Sequence, residues 1–258
     1  IVDSSSQEGK EKKKVNKIKT FPVPFSLGEI KSNITINTNS PSKPSKEQII
    51  NKAFKFHSQG NISEAAKYYK YFIDQEFKDH KVFSNYGVIL KDLGKLQEAE
   101  LSTRKAIELN PDYAMAHNNL GTILRDLGQL EEAELSYGKA IEINPDYADA
   151  YLNLGTILQD IGKLKEAELS TRKAIEINPD YAEAHSNLGN ILIHLGNLKE
   201  ARLLYRKAIE IKPNYVDAAW NLYGLSNSIE EAEERINQCL EMDNNYLKAI
   251  LTKSALKL

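Results

Sequence analysis

The chain has 258 residues, 27% of them charged, with a formal net charge of −2 and a single cysteine. The near-neutral total hides an asymmetry: residues 1–45 carry eight lysines against four acids, leaving 26 basic and 32 acidic residues beyond. An acidic body argues against a nucleic-acid duplex as the main ligand, because phosphate neutralisation needs a basic face. The lone Cys239 excludes an internal disulfide framework and fits a reducing compartment.

No apolar run approaches the ~18 residues of a membrane span, and the N-terminus lacks an apolar signal core. The expectation is a soluble, cytoplasmic protein with no membrane partner. Ile1 rather than Met opens the chain and Leu258 closes it inside a helical pattern, which predicts a piece of a longer protein.

Residues 1–45 read as a disordered basic tail that gives way to a Pro/Ser-rich stretch. Lys10, Lys12, Lys13, Lys14, Lys17 and Lys19 cluster where there is little to bury. From Phe21 onward, Pro22, Pro24, Pro41 and Pro44 block regular ladders, while Phe21, Val23, Phe25, Leu27 and Ile30 offer a short apolar segment for docking. Asn33-Ile34-Thr35 matches a glycosylation sequon, which carries little weight without a secretory signal.

From Lys46 the chain repeats itself. Five copies of 34 residues (46–79, 80–113, 114–147, 148–181, 182–215) precede a shortened sixth, 216–246, and residues 247–258 read as a capping or truncated helix. A fixed period of this length means stacked helical units that bury their apolar faces against one another. In the third copy Ala116, Leu120, Ile123, Leu124 and Leu127 recur at helical spacing; after Gly128 come Leu130, Ala133, Tyr137, Ala140 and Ile141. That pattern is helix, tight turn, helix. Gly128 suits a left-handed helix end, Asn144-Pro145 closes the second helix, and Asp146 is expected to cap the next one. Gly121, Ala133 and Ala140 sit where the helices must approach closely.

His117-x2-Leu120-Gly121-x2-Leu124, then Ala133-x3-Tyr137, then Pro145, resembles the tetratricopeptide repeat (TPR) family over residues 46–246. The first motif position departs from the usual Trp, carrying Ile49, Phe83, His117, Tyr151, His185 and Ala219. The segments YADAYLNLGTIL and YAEAHSNLGNIL are similar to the repeat region of O-GlcNAc transferase and of bacterial TPR-transferase fusions. The resemblance implies an all-α TPR α-solenoid, a right-handed superhelix whose first helices line a concave groove that holds a segment of another protein. It also implies a second role, the substrate-recruiting region of a larger transferase whose catalytic domain lies beyond Leu258.

Asn51, Asn85, Asn119, Asn153, Asn187 and Asn221 fall at one position of all six copies, although the end copies diverge almost everywhere else. A carboxamide both donates and accepts, so a row of them can hold a peptide backbone irrespective of its side chains. The opposing account is that each hydrogen-bonds a neighbouring helix. Beside this asparagine ladder, Ser84, Asn118, Leu152, Ser186 and Trp220 form one expected selectivity row, and Val88, Thr122, Thr156 and Asn190 another. Trp220 reads either as an aromatic anchor or as filler beside the shortened helix.

Nothing points to catalysis in this segment. No phosphate loop, metal-spaced His/Cys set or nucleophile elbow occurs, and no cofactor is expected. His117 and His185 replace Phe83 and Tyr151 at a packing site, and Cys239 replaces Ala140 and Ala208. Self-association through the C-terminal helix, using Ile250 and Leu258, is a further expectation. Gly138, mid-helix where other copies have Arg, has no evident role.

Overall fold

The computed structural model describes residues 44–256; the expectations for residues 1–43 lie outside the described residues. Those residues form thirteen helices: α1 Lys46–Ser58, α2 Ile62–Asp74, α3 His80–Asp92, α4 Leu96–Leu109, α5 Ala114–Asp126, α6 Leu130–Ile143, α7 Ala148–Asp160, α8 Leu164–Ile177, α9 Ala182–His194, α10 Leu198–Ile211, α11 Val216–Tyr223, α12 Ile229–Met242 and α13 Leu247–Leu256. They pair as antiparallel hairpins that stack in order, and the first helices of neighbouring hairpins also touch, α3 with α5, α5 with α7 and α7 with α9. First helices form one layer and second helices the other.

The turns follow from the residues at them. Gly128 sits at φ +78°, a left-handed conformation that a side chain disfavours, and the matching glycines of four other hairpins share it. Asn144 takes an extended backbone ahead of Pro145, which ends α6. Asp146 does not cap α7. Its amide donates instead to Asn144 Oδ1 at 3.2 Å in a local turn, and the capping position falls to Tyr147, whose side chain makes no cap bond. Asp79 sits one register later, at the N-cap of α3, and accepts from the amides of Lys81 and Val82.

Packing is continuous through the stack. One cluster joins Leu120 and Leu124 of α5, Ala133 and Tyr137 of α6, Ile157 and Leu158 of α7, Ala167 of α8 and Ile191 of α9. Glycine sets the distance between partners: a Cβ on Gly121 would lie 2.7 Å from the Tyr137 ring, and one on Gly189 2.7 Å from Tyr205. The sequence shows two-copy alternation here, with Thr103 and Thr171 where α6 and α10 carry tyrosine, and Thr171 Oγ1 donates to the Ala167 carbonyl at 2.8 Å.

α11 has 8 residues against 13 in α5. The missing turn leaves Leu225 to Ser228 as a loop, held by Arg202 of α10, which donates to the Leu225 carbonyl and to Asn227 Oδ1 at 2.9 Å. α13 buries Ala249 against Ile236 and Cys239 of α12 and leaves Leu247, Ile250 and Leu251 exposed. No helix among the described residues is long and apolar enough to cross a membrane.

Candidate functional site

The layer of first helices carries the asparagine row, and its bonds are specific. Asn119 Nδ2 donates to Ser84 Oγ at 3.1 Å and Asn153 Nδ2 to Asn118 Oδ1 at 3.0 Å. Asn187 Nδ2 donates to Thr156 Oγ1 at 3.1 Å and Asn221 Nδ2 to Asn190 Oδ1 at 3.0 Å. Each asparagine thus ties its helix to the first helix before it. The acceptor changes with what is there: Leu152 offers nothing, so Asn187 reaches a turn further to Thr156. Asn221 passes over Ser186 and reaches Asn190, a turn further along α9. In all four, one amide hydrogen is committed, and Oδ1 has no partner among the described residues.

The ends of the row differ. Ile50 and Phe54 stand where acceptors would be needed, and Asn85 lies instead beside the Tyr69 hydroxyl, in a cleft of about 270 Å³ with Phe54, His57 and Ser58. Asn51 is exposed on the first helix.

The expected selectivity row is corrected by burial. Ser84, Asn118, Leu152 and Ser186 are buried and cannot reach a partner; Ser84 and Asn118 accept from Asn119 and Asn153 instead. Thr122 Oγ1 donates to its own helix at Asn118 O, 3.2 Å, and Thr156 Oγ1 to Leu152 O, 3.0 Å. Trp220 is half-buried, its ring 4.8 Å from Tyr223 and 5.8 Å from Tyr246, which is the geometry of filler beside the shortened helix. Asp92 and Asp126, which end α3 and α5, are paired with the adjacent Lys91, 3.0 Å, and Arg125, 3.8 Å.

Sequence reasoning missed the tyrosines that support the row from the second layer. Tyr137 donates to Thr122 Oγ1 at 3.2 Å, and Tyr205 to Asn190 Oδ1 at 2.6 Å, so Asn190 joins Tyr205 to Asn221. The alternation of tyrosine and threonine along the second helices was the available signal. The histidines behave as packing residues: Nε2 of His117 and of His185 donates to the carbonyl of Pro111 at 2.8 Å and of Pro179 at 2.9 Å. Cys239 is buried, and burial pushes its thiol up to about 11. Among the described residues no cluster of His, Cys, Asp and Glu is suited to a metal ion.

Models described as tetratricopeptide repeat match residues 80–113, 103–134, 148–181 and 182–215, and one described as TPR repeat matches 121–162. Together they span residues 80–215, more than half the chain. The chain belongs to the tetratricopeptide repeat family. No curated protein matches it.

Among solved structures it is similar to MamA, 25% identical with a TM-score of 0.55 over 64% of this chain and 96% of that one. YrrB, a TPR protein with an unusual peptide-binding site, is 24% identical with a TM-score of 0.55 over 74% and 100%. PilF of Pseudomonas aeruginosa is 16% identical and superposes with a TM-score of 0.70 over 81% and 97%. The last two share the fold. As a TPR array the chain is a protein-interaction scaffold.

Proposed function

We propose that the six repeat units, residues 46–79 through 216–246, act as one array that holds an extended segment of another protein along the first-helix layer. The observation that carries this reading is the shared state of Asn119, Asn153, Asn187 and Asn221. A fixed donor bond orients each carboxamide, and the oxygen is left to accept from a peptide N–H. Packed helices lie about 8–10 Å apart. A polyproline II segment advances about 3.1 Å per residue with three residues per turn, so every third N–H returns to the same side at about 9.3 Å. That conformation matches the rungs better than a pleated strand, whose successive groups alternate in direction. A peptide-binding site is described for YrrB, which shares this fold.

The reading gives Asn119, Asn153, Asn187 and Asn221 the backbone contacts. Asn85 and Asn51 extend the row toward the N-terminal end, and Trp220 closes its other end. Thr156 holds Asn187 from behind, and Thr122 ties the same layer to Tyr137. Each neutral hydrogen bond contributes on the order of 0.5–1.5 kcal/mol net, so removal of three rungs weakens binding at least about tenfold.

The test selects binders from a displayed library of random peptides on the wild-type chain and measures them on Asn119→Ala/Asn153→Ala/Asn187→Ala. Loss of at least about tenfold in affinity is expected. Equal affinity sinks the ladder. The structure adds a cost absent from the sequence reading: each alanine also removes a bond between helices, so the triple variant melts lower than the wild type.

A further inference from the structure

We propose that the second-helix face is a homodimer interface, in which two copies of this chain pair along a row of exposed leucines about a two-fold axis parallel to the row. Leu101, Leu135, Leu169 and Leu203 occupy one position on α4, α6, α8 and α10 and are 71%, 74%, 70% and 64% exposed. One exposed leucine needs no explanation, but four in adjacent layers form a stripe. The stripe borders apolar grooves. One of about 330 Å³ between α2 and α4 has Phe83, Tyr86 and Leu90 among its lining residues and Leu101 on its wall. Its counterpart of about 440 Å³ between α4 and α6 is lined by His117, Leu120 and Leu135. At both ends of the array the same position is charged and exposed, as Lys67 and Glu234.

Charge favours a second copy as the occupant, with lysines that also pair within their own helices at 2.6 to 2.8 Å. One turn toward the N-terminus of each leucine lie acids, Glu98, Glu132, Glu166 and Glu200; one turn toward the C-terminus lie bases, Lys105, Lys139, Lys173 and Lys207. A two-fold axis along the row reverses helix direction and keeps the order of repeats. It sets leucine on leucine and each acidic row over a basic one, with the same layer spacing on both sides. The alternative axis, across the row, opposes like charges. Such a self-complementary patch is what an isologous pair requires.

Gly138 supplies an independent observation. It lies one turn from Leu135 on the same face, where α4, α8 and α10 carry Arg104, Arg172 and Arg206. A Cβ there meets nothing within 4 Å, so packing within one copy does not call for glycine. A second backbone approaching beside Leu135 does.

Sedimentation of the chain up to about 100 µM tests this. The wild type is expected to be dimeric, and Leu135→Glu and Gly138→Arg are each expected to raise the dimer dissociation constant at least about tenfold. Gly138→Arg installs the residue that three other repeats carry, so it preserves the helix while removing the close approach. A wild type that stays monomeric overturns the proposal, as does a dimer that both variants leave intact. Loss of the dimer only in Ile250→Glu/Leu251→Glu would move the contact to α13 and equally overturn it.

Discussion

Two glycines show how much one hydrogen atom can mean in this array. Gly121 faces the Tyr137 ring so closely that a Cβ would sit at 2.7 Å, whereas Gly138 faces open space. Gly121→Ala must push the ring or part the helices and is expected to destabilise by about 1–3 kcal/mol. Gly138→Ala removes only a helix-weakening residue and is expected to stabilise one copy by up to about 1 kcal/mol. Thermal melts of the two variants, run dilute enough to keep the chain monomeric, should therefore move in opposite directions, and a shift of the same sign would contradict this packing account. The turn and packing glycines were legible in the sequence because a left-handed turn or a close approach selects glycine at a fixed offset. The partners of the asparagines were not. Whether Asn221 bonds Ser186 or Asn190 depends on how far one helix slides along the next, and the spacing within one copy carries no record of that. Asp146 was misread because α7 begins one residue later than that role needs, with Tyr147 at the capping position.

At the scale of elements, the deletion in the sixth repeat was readable as a shortened first helix, but its repair was not. Arg202 comes from the preceding hairpin to hold the Leu225 carbonyl and Asn227, with Glu231 at 3.8 Å. Charged hydrogen bonds of this kind contribute roughly 1.5–3 kcal/mol when sheltered, less at a partly exposed loop. Arg202→Ala is expected to speed amide exchange in α11, α12 and the loop between them while leaving α5 to α8 unchanged, because repeat stability is transmitted mainly between neighbours. Uniform acceleration along the array would contradict that local role. Helix order and period were readable because small and apolar residues recur at fixed places. The burial of Ser84 and Asn118 was not, since both look like groove residues until the next first helix is laid against them.

At the scale of the molecule, alkaline pH is the expected weak point. Burial pushes Cys239 up to about 11 and Tyr69 up to about 12; burial and the neighbouring Asp217 carboxylate push Tyr246 up to about 12. Each folded value lies above that of the unfolded chain, so above about pH 9 the unfolded chain gives up these protons first. The stability from keeping them neutral is complete below about pH 9 and is lost as pH rises through about 11 to 12. Melts should hold level from about pH 7 to 8.5 and fall beyond about pH 10; a level curve to pH 11 would show that these groups are not sheltered.

Function at this scale rests on whether the asparagine row reads a peptide backbone. The direct measurement is an N-methyl scan of a peptide selected on the wild-type chain, because it alters the ligand and leaves the fold untouched. Affinity should drop at least about tenfold when every third backbone nitrogen is blocked, with the intervening positions tolerated. Equal tolerance at all positions would mean that binding comes from side chains, and the ladder account would be wrong.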